Sequence, residues 1–322
     1  MEKTLQILIP DEFHGKRADT ALSKLIPDVS RSAISEAITS GQVKADGKVI
    51  AKPSDKLFSG QSIEVSLKND EDTGAESEDI PLDVVYEDSD LAVINKPAGL
   101  VVHPGAGVHS GTLMNGLLYR YSASRQLPRA GIVHRLDKDT SGLMVVALSP
   151  KAHFHLTKAI SKHQVVREYE AIACGLITAG GTIEADIGRD PLNRVRMAVV
   201  PDGMGREAVT HYRVMERFRE HTLIRLRLET GRTHQIRVHM ASIDHPLLGD
   251  PVYGYGLRLM KGASEEFNEE LRSFRRQALH AARISFKHPI TGENMDFSAP
   301  LPDDMKALIE ALRKDRDEHA QD

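Results

Sequence analysis

The sequence has little cysteine and few aromatic residues. Its 322 residues include one cysteine, Cys174, and no tryptophan, and aromatic residues make up 5% of the chain. A single thiol excludes a disulfide framework within the chain and a zinc site built from several cysteines. Cys174 lies inside an apolar run, residues 172–177, where a small buried side chain in a strand is the expected role.

Long apolar segments are also missing. No stretch approaches the roughly 18 apolar residues that a membrane span needs, and the N-terminus lacks the basic and then apolar order of a signal peptide. These features predict a cytoplasmic protein. The formal net charge of -4 argues by itself against a nucleic-acid partner, but the charges are distributed unevenly along the chain.

Several common catalytic signatures are absent as well. The chain has no GxSxG nucleophile elbow, no Walker A phosphate loop and no complete dinucleotide fingerprint, so no nucleotide cofactor is expected. His234 and His239 stand five residues apart, which does not place them on one face of a helix as in an HExxH zinc motif. With no carboxylate at a matching spacing, we expect no metal.

What the chain does have is a division marked by charge. Residues 69–79 hold six acidic residues, no basic residue and no large apolar side chain, which predicts a solvated linker. This linker separates an N-terminal unit, residues 1–68, from a large unit, residues 80–302. A charged helix or tail is expected over residues 303–322.

The two units differ in their apolar patterns. The small unit shows two stretches of helical spacing between residues 17 and 38, followed by short strands around an Asp46-Gly47 turn. The large unit has alternating segments that predict long strands with one buried face, interrupted by helical patterns at 111–122, 150–163 and 234–243. The expected fold class is α+β, with a mixed, mainly antiparallel sheet covered by helices and a small α+β domain in front.

One short segment combines apolar and ionisable residues. Ile132 and Val133 predict the end of a buried strand and residues 143–148 predict another, while the loop between them is charged. A carboxylate that is desolvated beside an arginine stays ionised and can act as a nucleophile or a base. Asp137, which follows Arg135 in this loop, is therefore the candidate. Taken alone, a surface turn with ion pairs explains the same residues.

A later segment is unusually rich in arginine. Residues 189–240 contain eleven arginines, no lysine and six acidic residues. The planar arginine fork suits phosphate groups and base edges, whereas lysine is a flexible point charge. The bias predicts a nucleic-acid-binding face. The alternative is a solvated sheet face whose strands happen to use arginine.

The charged loop reads His134-Arg135-Leu136-Asp137-Lys138-Asp139-Thr140-Ser141-Gly142 and resembles the HRLDxxTSG signature of the RluA family of pseudouridine synthases. Further segments resemble motifs of that family, in order, from about residue 80 to 300. They are Asn95-Lys96-Pro97-Ala98-Gly99, His103-Pro104, Arg167-Glu168-Tyr169-Glu170-Ala171, Thr230-Gly231-Arg232-Thr233-His234-Gln235-Ile236-Arg237-Val238-His239, Gly249-Asp250-x-x-Tyr253-Gly254 and Leu279-His280-Ala281. Arg167 stands where the family often has lysine, which keeps the charge.

The small unit resembles the S4-like RNA-binding domain. The matching features are Arg17-Ala18-Asp19, Ser30-Arg31, Gly41-x-Val43 and Lys52-Pro53. With such a domain in front, the organisation resembles that of the branch of the family that modifies large-subunit ribosomal RNA. The implied partner is that RNA or the pre-50S particle, and the implied target is the loop of helix 69 in 23S rRNA.

The resemblance also implies a reaction. Uridine becomes pseudouridine when the bond from ribose C1′ to uracil N1 breaks and the base rejoins C1′ through its C5. Nothing is oxidised and nothing is added, so the reaction needs no metal, no nucleotide and no redox cofactor. The large unit is expected to have the pseudouridine synthase fold, and we expect a monomer.

The resemblance implies roles for individual residues. Asp137 is the essential carboxylate, Arg237 pairs with it, and Tyr169 stacks on the target uracil. The residues implied in RNA binding are Arg135, Ile236, His134, Arg31 and Lys44. Of these, Ile236 is expected to pack beneath the carboxylate, and Arg135 to enter the RNA stack as the target base leaves it.

Other interpretations of these residues stay open at this stage. For single positions, the alternatives are a place in the core for Tyr169, a helix-surface ion pair for Arg237 and a structural contact for Arg135. For the whole chain, the alternative is a non-catalytic RNA-binding factor of ribosome assembly. A metal-dependent nucleic-acid hydrolase is a third hypothesis.

Overall fold

The structure is a computed structural model that describes residues 3–26, 29, 31–67, 75–105, 107–193, 196–256 and 258–320. The chain divides into two compact units, Met1–Gly74 and Ala75–Asp322. The division falls within the acidic segment 69–79, of which residues 69–74 lie outside the described residues. No helix in the described ranges is long and apolar enough to cross a membrane.

Within its described residues, the small unit is a four-stranded antiparallel sheet with two α-helices. Its sheet order is β1-β4-β2-β3, and the Asp46-Gly47 turn between β2 and β3 has φ values of 49° and 80°, as a two-residue hairpin requires. The first strand was not expected from the sequence. The elements are β1 Lys3–Leu8, α1 Ala18–Leu25, α2 Arg31–Thr39, β2 Val43–Ala45, β3 Lys48–Val49 and β4 Ser62–Leu67.

The large unit is built on a sheet that has nine strands in the described part of the chain. The strand order is β5-β6-β7-β14-β8-β13-β12-β9, with β15 paired to β14, and only β7 and β14 run parallel among the described pairs. Strands β10 and β11 form a separate hairpin. The strands are β5 Val84–Glu87, β6 Leu91–Lys96, β7 Ser141–Ala147, β8 Val166–Cys174, β9 Gly181–Glu184, β10 Ile187–Arg189, β11 Met197–Val199, β12 Val209–Arg217, β13 His221–Leu228, β14 Leu279–Lys287 and β15 Asn294–Ser298.

Helices pack on both faces of this sheet. Tyr169 and Ala171 of β8 join a core with helices α3 and α5, whereas Ile172 joins a core with α6 and α7, because successive side chains of a strand point to opposite faces. The α+β fold class expected from the sequence is confirmed. The helices are α3 Leu113–Arg120, α4 Pro150–Ser161, α5 Gln235–Ser242, α6 Glu265–Ser273 and α7 Asp303–His319.

The strand predicted to precede the charged loop is not formed. Ile132 makes only an isolated bridge, to Val146, and the chain before it is a left-handed turn with φ of 52° at Ala130 and 82° at Gly131. A Cβ on Gly131 would lie 1.9 Å from the carbonyl oxygen of Ala147. The chain therefore crosses the end of β7 at close range instead of running beside it. The strand after the loop, β7, is buried over its whole length.

The C-terminal residues form part of the large unit. Helix α7 buries Met305, Leu308, Ile309 and Leu312 in the core that it shares with α6. Asp315 on the same helix accepts two hydrogen bonds from Arg219, at 3.0 and 3.1 Å. The charged end of the chain therefore packs against the sheet through an apolar stripe.

The arginine-rich segment does not form one surface. Arg225 pairs across the sheet with Glu170, and the neighbouring Leu226 pairs with Tyr169, so Arg225 and Tyr169 lie on opposite faces. Arg232 and Arg237, by contrast, line a cavity together with Tyr169. Strand alternation explains the difference. Arginines spaced by two residues in one strand share a face, whereas the whole segment passes from the end of β10 through β11, β12 and β13 into helix α5.

Candidate active site

A cavity of about 390 Å³ lies where four distant segments of the large unit meet. Its walls come from the charged loop 133–140, the end of α4, strand β8 and the segment that joins β13 to α5. The loop and the β13–α5 segment carry most of its polar side chains. The fold thus gathers residues from four of the sequence motifs, those that begin at His134, Arg167, Thr230 and Leu279, around one concave site, which is the usual form of a binding site.

Asp137 is held by an arginine inside this cavity. Nη1 of Arg237 donates to Oδ2 of Asp137 at 3.1 Å, and the Asp137 side chain keeps 17% of its surface exposed. The opposite edge of the same guanidinium donates twice to Asp250, from Nε at 2.6 Å and from Nη2 at 2.9 Å. One arginine therefore bridges two carboxylates, of which only Asp137 faces the cavity.

Asp250 is the buried anchor of the arginine. Its side chain is fully buried, and its Oδ1 also accepts from the backbone amides of Val252 and Tyr253. Burial alone would raise the pKa of Asp250, but the hydrogen bonds and charge of Arg237 and these two amides outweigh it and hold the pKa below its usual value. The carboxylates in turn raise the pKa of Arg237 against the opposing effect of burial. The guanidinium is thus fixed both in charge and in orientation.

The backbone of the charged loop is fixed by a buried lysine. Lys96 at the end of β6 is fully buried, and its Nζ donates to the carbonyl oxygens of Pro97 at 2.7 Å, Leu100 at 2.9 Å and Lys138 at 2.9 Å. Burial lowers the pKa of Lys96 to about 8, although the carboxylates of the charged loop oppose this shift. Because Lys138 follows Asp137 directly, the ammonium holds the loop at the position of the candidate carboxylate.

Tyr169 and Ile236 supply apolar wall beside the carboxylate. Tyr169, on β8, is 5% exposed, and Ile236, in the first turn of α5, is 4% exposed, and both line the cavity with Asp137. Burial raises the pKa of Tyr169, so its hydroxyl keeps its proton at neutral pH. The hydroxyl has no hydrogen-bond partner within the described part of the chain and is free to bind a ligand in the cavity.

The two basic residues at the start of the loop differ in their surroundings. Arg135 is exposed and makes no hydrogen bond or ion pair with any described residue. His134 is turned toward the sheet, where its Nε2 accepts from the backbone amide of Val145 at 3.0 Å. Burial lowers the pKa of His134 to about 3. His134 therefore supports the loop on β7, and Arg135 extends from it.

A pH-dependent stability follows from His134. Since its pKa is lower in the folded chain than in the unfolded chain, the unfolded state gains a proton first as the pH falls below about 6.5. This histidine should then cost up to about 1.4 kcal/mol per pH unit between pH 6.5 and 3. His134→Leu should be less stable than wild type at pH 7, by about 1–2 kcal/mol, because the amide of Val145 loses its acceptor.

The measurement is denaturant unfolding of both proteins at pH 7 and pH 5. The stability difference between them should shrink or reverse at pH 5. His155→Leu, at an exposed position on α4, is the control and should follow wild type at both pH values. Parallel pH dependence of wild type and His134→Leu would contradict the assignment.

The remaining candidates lie in the small unit. Arg31 begins helix α2, and its side chain lies outside the described part of the structure. Lys44, on β2, forms an ion pair with Glu64 at 3.2 Å, and both side chains are about two-fifths exposed. The structure therefore brings Asp137, Tyr169, Ile236 and Arg237 together in one cavity and places Lys44 on a separate unit.

Four further residues of the site were not identified as functional from the sequence. Asp250 and Tyr253 belong to the Gly-Asp-x-x-Tyr-Gly motif. His234 belongs to the motif of residues 230–239, and Arg167 begins the motif of residues 167–171. Arg167 is 7% exposed and donates to the carbonyl oxygens of Glu229 and Thr230. The signal that was available for Asp250 is its place in the Gly-Asp-x-x-Tyr-Gly motif. Its burial and its contact with Arg237 are visible only in the structure.

Comparison with known proteins gives the class of this fold and site. The family model described as RNA pseudouridylate synthase matches residues 90–242. Two solved structures resemble the chain. Human RNA Pseudouridylate Synthase Domain Containing 4 has a TM-score of 0.55 and 27% sequence identity, and the match covers 71% of this chain and 92% of that one. Human RNA Pseudouridylate Synthase Domain Containing 1 has a TM-score of 0.53 and 25% sequence identity, and the match covers 74% of this chain and 96% of that one. This is the class of isomerases that modify RNA.

The relatives narrow this class to a family. A Ribosomal large subunit pseudouridine synthase D of Vibrio parahaemolyticus is 53% identical over 97% of this chain and 95% of its own length, and that of Escherichia coli strain K12 is 54% identical over 95% and 93%. The chain belongs to the RNA pseudouridylate synthase family. The resemblance drawn from its sequence motifs is thereby confirmed.

Proposed function

We propose that this enzyme converts uridines of large-subunit ribosomal RNA to pseudouridine, with the loop of helix 69 in 23S rRNA as its target. The observation that carries the chemical part of the proposal is the carboxylate of Asp137, which is fixed by Arg237 at 3.1 Å and faces a cavity. The choice of RNA is supported by relatives of 53–55% identity that are named for the large ribosomal subunit.

Asp137 is the proposed catalytic carboxylate. The reaction can begin by attack of a carboxylate on the sugar or the base, or by removal of a ribose proton, and each of these steps needs an ionised carboxylate beside C1′. Arg237 places a positive charge beside Asp137 and donates a hydrogen bond to it at 3.1 Å. The loop that carries Asp137 is fixed through Lys96, and such support matters because a small misplacement of a catalytic group costs a large factor in rate.

Tyr169 and Ile236 are the proposed holders of the uracil. The base is detached in the middle of the reaction and has to turn so that C5 faces C1′, and flat apolar walls permit a rotation that directional hydrogen bonds would block. The Tyr169 ring provides such a wall, and its hydroxyl stays protonated because burial raises its pKa. The hydroxyl is therefore in place to assist transfer of the proton that C5 loses.

RNA binding completes the proposal. A uridine within a stem or stacked loop has to leave the stack before it can enter a cavity. Arg135 is exposed and unpaired among the described residues, and it is the proposed side chain that takes the vacated position. His134 fixes the loop from which Arg135 extends.

The small unit is proposed to bind RNA as an S4-like domain through Arg31 and Lys44, with the pre-50S particle as the partner. We propose further that the enzyme acts as a monomer in the cytoplasm, where this RNA is assembled into ribosomes. The proposed reaction is a rearrangement in which no atom or electron is gained or lost, so it requires no metal and no cofactor.

The test is a map of pseudouridine in large-subunit rRNA by carbodiimide labelling and primer extension. RNA from cells that lack this chain is compared with RNA from the same cells after return of the wild-type gene. The expected result is loss of signals in the helix 69 loop and their return with the gene, while all other pseudouridines are unchanged. An identical map in both strains would contradict the proposed substrate.

A further inference from the structure

Two residues of the cavity, His163 and His234, have a left-handed backbone conformation although neither is glycine. His234 is the residue before helix α5, and its φ of 57° and ψ of 21° place it in the left-handed region. The residue at this position of a helix is normally extended and caps the helix with its side chain, whereas His234 makes no such cap. A non-glycine residue held in this region carries a cost in free energy, and such residues concentrate at functional sites. The conformation directs attention to what the side chain contacts.

The imidazole of His234 is fixed by Tyr253. Nδ1 of the ring lies 2.9 Å from the hydroxyl of Tyr253, and the two rings meet edge to face at 5.7 Å. The same hydroxyl accepts from the backbone amide of Met197 at 3.0 Å. Among the described residues, Nδ1 is the only acceptor for the hydroxyl proton, so the hydroxyl donates to it. The neutral ring then carries its own proton on Nε2.

The proton on Nε2 is directed into the cavity beside the candidate carboxylate. Nε2 lies 4.0 Å from Oδ1 of Asp137, the oxygen that does not bind Arg237. This distance is too long for a direct hydrogen bond. It fits one oxygen atom between the two groups, because two hydrogen bonds of about 2.8 Å that meet at a right angle span about 4 Å. That oxygen has to accept from Nε2 and donate to Oδ1.

We propose that His234 and Asp137 together bind the 2′-hydroxyl of the target uridine. This inference rests on the proposed function. Within an RNA chain the O3′ and O5′ atoms are esterified, and the uracil presents N3–H as a donor and two carbonyl oxygens as acceptors. The 2′-hydroxyl is thus the one oxygen of the nucleotide that both accepts and donates. It is bonded to C2′, next to C1′, so its capture places the reacting carbon beside Asp137.

The proposal gives His234 a role in substrate specificity. The 2′-hydroxyl is the group that distinguishes RNA from DNA. A site whose polar groups are arranged for a hydroxyl discriminates strongly against a substrate that lacks it, because those groups are left without a partner. His234 would then contact the sugar, while Tyr253 acts through His234 as a positioning residue.

The test is a cycle that combines one side-chain change with one change in the substrate. An RNA hairpin that carries the mapped target is made with either uridine or 2′-deoxyuridine at that position. Wild type and His234→Asn are compared on both, because asparagine tolerates the left-handed conformation and keeps an acceptor near the Nδ1 position but lacks Nε2. Single-turnover rate and Kd are both measured, so that the comparison can be made even when the deoxynucleotide is not turned over.

Wild type should lose roughly 10- to 100-fold in single-turnover rate or in affinity on the deoxy substrate, as expected when hydrogen bonds to a charged group are removed. His234→Asn should lose a similar factor on the ribose substrate and only a few-fold more when the 2′-hydroxyl is removed. His234→Gln, whose amide nitrogen reaches the Nε2 position, should recover part of the discrimination. His155→Asn, at an exposed position on α4, should behave as wild type.

An equal penalty for the deoxynucleotide in wild type and in His234→Asn, with both proteins folded by thermal melting, would overturn the proposal. The 4.0 Å gap would then hold a water molecule. Failure of the wild-type enzyme both on the all-ribose hairpin and on pre-50S particles from cells that lack this chain would overturn the proposed function itself. These wild-type samples distinguish the two failures.

Discussion

Turnover is expected to fall by at least about 1,000-fold when Asp137 is replaced by Asn, while the fold and the affinity for RNA are kept. The amide is nearly the same size as the carboxylate and can still accept from Nη1 of Arg237, so the cavity should keep its shape. What is lost is the negative charge, and neither nucleophilic attack nor proton removal can proceed from a neutral amide. The measurement is single-turnover formation of pseudouridine, together with the Kd for the same RNA.

Asp139→Asn is the matched control for this experiment. It makes the same change two residues further along the loop, at a side chain that is not part of the cavity wall among the described residues. Its turnover should stay within a few-fold of wild type. Substantial activity of Asp137→Asn would remove the chemical basis of the proposed function, and a loss of RNA binding equal to the loss of turnover would indicate a binding role for Asp137 instead.

The second large effect is expected at Arg237. Arg237→Met leaves Asp250 fully buried without a cation, and removal of one partner of a buried ion pair typically costs about 3–5 kcal/mol. Asp250 would then take up a proton at a pH above its present pKa, because only the amides of Val252 and Tyr253 would be left to oppose the effect of burial. Turnover should fall by a large factor as well, since Asp137 loses its hydrogen-bond donor.

A double variant separates these two consequences. Asp250→Asn removes the buried charge but keeps an oxygen for the amides of Val252 and Tyr253. Arg237→Met combined with Asp250→Asn should therefore recover most of the lost stability and none of the lost turnover. The measurements are chemical denaturation and single-turnover kinetics on four proteins: wild type, Arg237→Met, Asp250→Asn and the double variant. Recovery of both properties would show that Arg237 serves the fold and not the carboxylate.

Much of this fold could be anticipated from the sequence because its signals are local. The long strands of alternating pattern and helices α3, α4 and α5 follow from apolar periodicity. The strand expected at Ile132 failed for a reason that no local pattern contains, namely the close crossing of Gly131 over Ala147. Strand β1 was missed because its pairing partner, β4, lies some sixty residues away in the sequence.

The candidate site divides in the same way. Asp137 and Arg237 could be named from short motifs, since each lies in a run of residues with a recognisable order. The shared use of Arg237 by two carboxylates could not, because Asp250 comes from a third segment and only the folded sheet brings the three together. The conformation of His234 and its contact with Tyr253 are likewise tertiary facts.

The bridging of two carboxylates by one guanidinium has a consequence for how a polyanion can approach. All three nitrogens of the Arg237 guanidinium donate to Asp137 and Asp250, whereas Arg135 and Arg232, which also line the cavity, have no carboxylate partner among the described residues. The charge of Arg237 is therefore committed to carboxylates, and a phosphate group could pair with it only by displacing one of them. Arg135 and Arg232 remain available to phosphate groups, so a bound RNA chain is expected to keep its backbone at these two arginines while the uncharged base and ribose enter beside Asp137.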